Sequence, residues 1–125
     1  MEMLKDRVSS RRKNYDFYLQ KLGCQTGITF LPESKDFFSN RWLSCILTSN
    51  YDMREKLRNA LLDENIESRP LWKPLHLQPI FSEYERFVDG TSKALFERGL
   101  CLPSGSNLTE EDLGRVVDTI KNALS

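Results

Sequence analysis

The sequence lacks the features that announce most functions. No apolar run comes near the roughly 20 residues of a membrane span. The first fifteen residues, MEMLKDRVSSRRKNY, are charged throughout and lack the apolar stretch of a signal peptide. There is one histidine, His76, so no histidine pair can hold a metal. The cysteines Cys24, Cys45 and Cys101 are widely spaced and form no CxxC, which makes a zinc site an unfavoured reading. There is no GxGxxG, no P-loop and no GxSxG elbow. Net charge is zero, so no global field draws the chain toward nucleic acid or anionic membrane. Together these absences point away from metal, nucleotide-phosphate-loop, serine-hydrolase, nucleic-acid and membrane functions, and toward the cytoplasm as location.

The composition that remains is that of an ordinary folded domain, with 125 residues, 39% hydrophobic and 29% charged. Leu4, Val8, Tyr15, Tyr18 and Leu22 recur at helical spacing, with Arg11 as the polar exception. They predict a helix over 3–22 that Gly23 stops. Such a helix is roughly 30 Å long, long for so small a domain. Residues 24–40 read as irregular, with GITF a possible short strand. Arg41–Thr48, RWLSCILT, reads as a strand with Leu43, Cys45 and Leu47 on one face and Trp42 and Ile46 on the other. Apolar residues on both faces predict a central, covered strand. A helix is expected from Asp52, capped through Glu55, with Met53, Leu57, Ala60 and Leu61 inward and Asn65 in the left-handed terminal position. IESRPL should be a short strand, Ser92–Arg98 a short helix closed by Gly99, and GLCLP a buried strand. Thr109 should cap the last helix, with Asp112 at its third position and Leu113, Val116, Val117, Ile120 and Leu124 inward. This order implies an α/β (α+β) domain, a small sheet covered by helices.

Few clusters carry chemistry. The basic run SSRRKN, Ser9 to Asn14, reads first as a solvated helix face. The Gly–Ser turn in PSGSN could offer amides to a phosphate but reads first as a plain turn. Cys45 and Cys101 sit in apolar runs as expected of buried thiols, and a catalytic Cys–His pair with His76 has no local support. The segment RPLWKPLHLQP, Arg69–Pro79, stands apart. Three prolines stiffen it. Arg69 offers a planar fork, Trp72 an aromatic face, Lys73 a point charge and His76 a neutral-pH donor or acceptor. A rigid loop of this kind suits ligand binding, and filling a core is the alternative.

RPLWKPLHLQPIF, followed by GLCLPSGSNLTEEDLGRVVDTI and preceded by NRWLSCIL and MREKLRNALLDENIESRP, resembles the C-terminal part of the DegT/DnrJ/StrS-type sugar aminotransferases. The resemblance runs from about Ser39 to the end. It implies the small domain of a fold-type I pyridoxal-phosphate enzyme, a short mixed sheet covered by helices. Residues 1–23 would be a linker helix from a large domain and residues 24–125 the small domain. The family moves an amino group from glutamate to a keto group on a nucleotide-linked sugar, and the cofactor supplies the electron sink. The proline segment looks most like the branch that makes 4-amino-4,6-dideoxy sugars, including bacillosamine-type UDP-sugars, for polysaccharides and glycans. The family's H-x-x-K and GEGG lysine motif does not occur in these residues.

The resemblance therefore implies a full-length homodimeric parent that binds pyridoxal 5'-phosphate, and a fragment that binds none and is inactive alone. His76, Trp72, Arg69 and Lys73 would lie near substrate and cofactor, with Asn40 and Arg41 as further candidates. No catalytic residue is expected in this stretch itself. Surface that faces the large domain should be exposed on the first helix and the proline segment, which favours self-association. A stand-alone α/β ligand-binding or interaction module is the alternative.

Overall fold

The computed structural model describes residues 2–125. Four helices and four strands form it: α1 Glu2–Leu22, β1 Ile28–Phe30, β2 Ser44–Thr48, α2 Tyr51–Asp63, β3 Arg69–Pro70, α3 Thr91–Arg98, β4 Gly99–Leu102 and α4 Glu110–Leu124. The sheet order is β1-β2-β4-β3, and every neighbouring pair is antiparallel. The expected mixed sheet is thus corrected. β2 and β3, joined through α2, do run parallel to one another, but β4 inserts between them and faces both in the opposite sense.

Register divides the sheet into two faces. Ser44, Ile46 and Thr48 of β2 lie opposite Leu102, Leu100 and, on β1, Phe30 and Ile28. This face is buried against the helices, in one core with Tyr15, Tyr18, Leu22, Leu57, Leu61, Leu113, Val116, Val117 and Ile120. The other face carries Cys45, Leu47, Cys101 and Arg69, with Cys45 and Leu47 only half-buried. So β2 is central, as expected, but helices cover one face of it rather than both. β2 is also shorter than expected. Arg41 has φ 47°, a left-handed conformation that breaks extension, and Trp42 is left exposed.

α1 packs only along its C-terminal half. Tyr15, Tyr18 and Leu22 are buried, whereas Leu4 is exposed and Val8 half-buried. The inward stripe therefore stops short of Leu4, because the helix extends past the core it packs on. Gly23 ends the helix as expected, its N–H donating to Leu19 O at 2.8 Å. Polar side chains of α1 then bind the segment after β4 residue by residue. The Tyr18 hydroxyl donates to Pro103 O at 2.8 Å, Arg11 Nη1 to Ser104 O at 3.0 Å, Asn14 Nδ2 to Gly105 O at 2.8 Å, and Arg7 Nη1 to Ser106 Oγ at 2.8 Å. Arg11, the exception on the stripe, also donates to Trp42 O at 2.6 Å. The basic run Ser9–Asn14 is thus partly structural rather than a solvated face. Its Arg12 pairs with Glu33 at 2.8 Å and lies 4.2 Å over the Phe38 ring.

α2 starts one residue before the expected Asp52. Asn50 is its cap, and Asn50 Oδ1 accepts from the Met53 N–H at 2.8 Å. Glu55 takes no part in capping; it is drawn sideways to Arg58 at 2.8 Å and Arg54 at 3.3 Å. Arg54 itself is buried, with the Tyr51 and Phe96 rings 4.9 and 5.9 Å from its guanidinium. Leu57 and Leu61 are wholly buried, and Asn65 takes φ 57° at the helix exit as its short side chain allows. α3 begins at Thr91 after Gly90, whose φ of 87° suits glycine. α4 carries the expected reciprocal capping box between Thr109 and Asp112. Among the described residues no helix is long and apolar enough to cross a membrane.

Candidate functional site

β3 is two residues long because Pro70 has no N–H to extend a ladder. The chain leaves the sheet there, and the Leu71 N–H still donates to Gly99 O at 3.3 Å. Gly99 is required at this crossing. A Cβ on it would stand 2.1 Å from Leu71 Cδ1 and 2.6 Å from Leu95 O. The segment beyond is not wholly irregular. It makes two 3-10 turns, Leu75–Leu77 and Pro79–Phe81, each closed by two backbone bonds of the i to i+3 kind. Gln78 Nε2 braces them by donating to Lys73 O at 3.2 Å. Residues 79–95 are exposed throughout, with Phe87 at 92% the most exposed of their large apolar side chains.

On the open face of the sheet, Trp42, Leu43, Glu67, Ser68, Arg69, Pro70, Trp72, Cys101, Leu102 and Pro103 enclose a cleft of about 410 Å³. Trp42 and Trp72 face each other there, ring centroids 6.2 Å apart and planes tilted by 37°. Both indoles are largely exposed. Arg69 donates through Nε and Nη2 to Glu67 Oε1 at 2.8 and 2.5 Å. The Ser68 hydroxyl is buried and has no hydrogen-bond partner among the described residues. An aromatic pair beside a guanidinium–carboxylate pair and an unpaired hydroxyl can stack on a flat or apolar ring face and bond its polar rim.

The candidate residues separate into two places. Trp72 and Arg69 line this cleft. Lys73 follows directly and is exposed, and His76 sits half-buried in the first 3-10 turn; neither lines the cleft. Asn40 lies elsewhere, in a hollow of about 560 Å³ against α1, with Leu4, Val8, Arg12 and Phe38 among its lining. Arg41 packs on α1 and on the end of β1. Its guanidinium lies 3.7 Å over the Tyr15 ring and its Nη1 donates to Leu31 O at 3.2 Å. The sequence reading missed Trp42, Glu67 and Ser68. Trp42 is legible as an aromatic in RWLSCIL, but a strand over 41–48 hides its exposure, which follows from the left-handed Arg41 and the start of β2 at Ser44.

Near the Asn40 hollow, Glu33 is the most strongly perturbed carboxyl. Hydrogen bonds from the Arg12 guanidinium and the Ser39 N–H hold it at about 2. Burial pushes the Tyr18 hydroxyl well above the usual phenol range.

The comparisons with known proteins give this geometry its setting. The profile of the DegT/DnrJ/EryC1/StrS aminotransferase family matches residues 1–121. The chain belongs to that family. EpsN of Bacillus subtilis (strain 168), whose name is that of a pyridoxal phosphate-dependent aminotransferase, is 43% identical over 124 residues, covering 96% of this chain and 32% of EpsN. GDP-perosamine synthase of Escherichia coli O157:H7 is 33% identical over 126 residues, covering 100% of this chain and 34% of that protein. Among solved structures, the aminotransferase TlmJ from Streptoalloteichus hindustanus superposes with a TM-score of 0.89 at 22% identity, over 98% of this chain and 33% of TlmJ. A DegT DnrJ EryC1 StrS aminotransferase from Brucella abortus gives 0.80 at 25% identity, over 94% of this chain and 31% of that one. The chain thus spans about a third of the length of the relatives it matches. The fold is that of part of a pyridoxal-phosphate aminotransferase, and the family's sugar aminotransferases are its relatives.

The family's cofactor is joined to its enzyme as an imine on a lysine. No lysine lines the cleft between Trp42 and Trp72. The residues around it therefore do not make a pyridoxal-phosphate site by themselves.

Proposed function

We propose that the chain is the C-terminal small domain of a pyridoxal-phosphate aminotransferase that moves an amino group from glutamate to a nucleotide-linked 4-keto-6-deoxy sugar, for polysaccharide or glycan synthesis. The observation that carries this reading is the family match over residues 1–121, together with 43% identity to EpsN over 96% of the chain. The 33% identity to a GDP-perosamine synthase supports a nucleotide-sugar substrate. In this reading the cofactor lysine and phosphate cup belong to a large domain outside these residues, with residues 1–23 as the linker helix to it. That domain would cover Trp72, Leu75, Ile80, Tyr84 and Phe87, all of which are exposed here. His76, Trp72, Arg69 and Lys73 would form a wall toward substrate and cofactor, and Asn40 and Arg41 would stand on a second surface beside α1. The whole enzyme would be a cytoplasmic homodimer.

The test is amino transfer by the whole protein that contains these residues, with glutamate as donor and UDP- or GDP-4-keto-6-deoxy sugars as acceptors. Release of 2-oxoglutarate coupled to amino-sugar formation is expected from the whole protein and none from residues 1–125 alone. Turnover by residues 1–125 alone, or failure of the whole protein with every such sugar, would overturn the reading.

A further inference from the structure

Antiparallel pairing places Cys45 of β2 directly opposite Cys101 of β4. Their sulfurs are 3.5 Å apart, and both thiols are free. Directly opposed residues of an antiparallel pair have Cα atoms about 4.5–5.5 Å apart. That lies inside the roughly 4.4–6.8 Å range a disulfide spans. Side-chain rotation alone can therefore bring the sulfurs to bonding distance, with no change of register. The pair lies on the sheet face that the helices leave open, and Cys101 lines the tryptophan cleft. Cys101 itself is buried and Cys45 half-buried, so the cleft is the way in to the pair from the side of Cys101. Cys24 lies apart, exposed just after the end of α1.

We propose that Cys45 and Cys101 form an oxidisable dithiol site, in which a peroxide entering the cleft converts the two thiols to a cross-strand disulfide. The Cys101 sulfur attacks one peroxide oxygen and the O–O bond breaks. The leaving oxygen takes the thiol proton and departs as water, leaving a sulfenic acid on Cys101. The Cys45 sulfur then attacks the Cys101 sulfur, the S–O bond breaks, and the hydroxyl leaves as a second water with the Cys45 proton. Two thiols and one hydrogen peroxide give one disulfide and two waters. The order of attack follows from two features. Cys101, not Cys45, is the residue of the pair that lines the cleft. Hydrogen bonding between the two sulfurs holds the Cys101 thiol below its usual range, while that bond and burial push Cys45 up. The bridge would join β2 to β4 beside Arg69, which β3 sets opposite Cys101. This site stands independently of the aminotransferase reading.

The experiment uses the purified, reduced protein, treated with hydrogen peroxide under native conditions and then denatured for thiol counting and peptide mapping. Among Cys24, Cys45 and Cys101 the count should fall from three to one, with a Cys45–Cys101 cross-linked peptide, and dithiothreitol should restore all three. Cys24→Ser should lose both remaining thiols in one bridge. Cys45→Ser should instead hold a sulfenic acid on Cys101 that dimedone captures. Three thiols persisting while free cysteine in the same solution is consumed would overturn the proposal. So would loss of thiol through Cys24-linked dimers with Cys45 and Cys101 still reduced. Dimedone capture on Cys24 alone in Cys45→Ser would overturn it as well.

Discussion

Tyr18→Phe tests whether α1 is an integral part of the domain. The ring is fully buried, and its hydroxyl donates to Pro103 O at 2.8 Å, at a sequence separation of 85. Phenylalanine keeps the ring packing and removes only the donor. The carbonyl of Pro103 is left behind with that bond unmade, so the cost is the desolvation penalty of one buried polar group, about 1–3 kcal/mol. With a urea dependence of about 2 kcal/mol/M, the unfolding midpoint should fall by about 0.5–1.5 M. Tyr18→Ala adds the loss of the ring and should cost about 3–5 kcal/mol. Urea unfolding followed by tryptophan fluorescence reads both. A midpoint for Tyr18→Phe within about 0.2 M of the parent, with Tyr18→Ala equally mild, would refute the docking of α1. An alkaline arm sharpens the test. Tyr18 ionises near 10.0 when unfolded but is raised above that by burial when folded. Above the unfolded value the unfolded state binds fewer protons, so this contribution is whole below about pH 10 and lost as pH rises. Tyr18→Phe should therefore lose less stability than the parent as pH rises above about 10.

Three further outcomes are expected. By NMR titration, the Glu33 carboxyl should titrate near 2 and rise toward its ordinary value of 4.5 in Arg12→Ala; an unmoved titration would remove the ion pair as the cause. Any stability Glu33 lends is present above 4.5 and lost as pH falls toward 2, since its folded-state value is depressed. Gly99→Ala should destabilise by about 1–3 kcal/mol through overlap with the Leu71 side chain and the Leu95 carbonyl, read as a lower Tm, because the Leu95 backbone cannot withdraw freely. In the whole aminotransferase, His76→Ala should lower kcat/KM about tenfold or more with the circular dichroism spectrum and Tm retained; unchanged kinetics would remove His76 from the substrate wall.

Much of the architecture was legible because its signals are local. The stripe of Leu113, Val116, Val117 and Ile120, the Thr109–Asp112 cap and the left-handed Asn65 each depend on neighbours within one or two helical turns. What escaped depends on partners far away in sequence. Leu4 continues the α1 stripe in pattern, but it borders only the open hollow beside Phe38 and stays exposed. Arg54 reads as a solvated helix residue until Phe96 arrives from α3 to cover it. The cap of α2 passed from Asp52 to Asn50 because both residue types suit the position, and only the backbone path out of β2 decides. The candidate site was legible as residue types in RPLWKPLHLQP. Its shape was not, since the cleft needs Trp42, thirty residues upstream of Trp72. The pairing of Cys45 with Cys101 was equally hidden, as it follows from strand register rather than from spacing.

The hydrogen bonds from α1 to residues 103–106 bear on how the chain comes into being. Synthesis runs from the N-terminus, so the helix that supplies these donors is made first and the carbonyls that receive them come more than eighty residues later. Until then the buried faces of Tyr15, Tyr18 and Leu22 lack α4, and the sheet lacks β4, the strand that holds β2 and β3 together. On a ribosome, α1 therefore waits for more than eighty further residues before the groups it docks on are made. A polypeptide broken off before Pro103 leaves an apolar helix face in view, the surface that chaperones and proteases recognise.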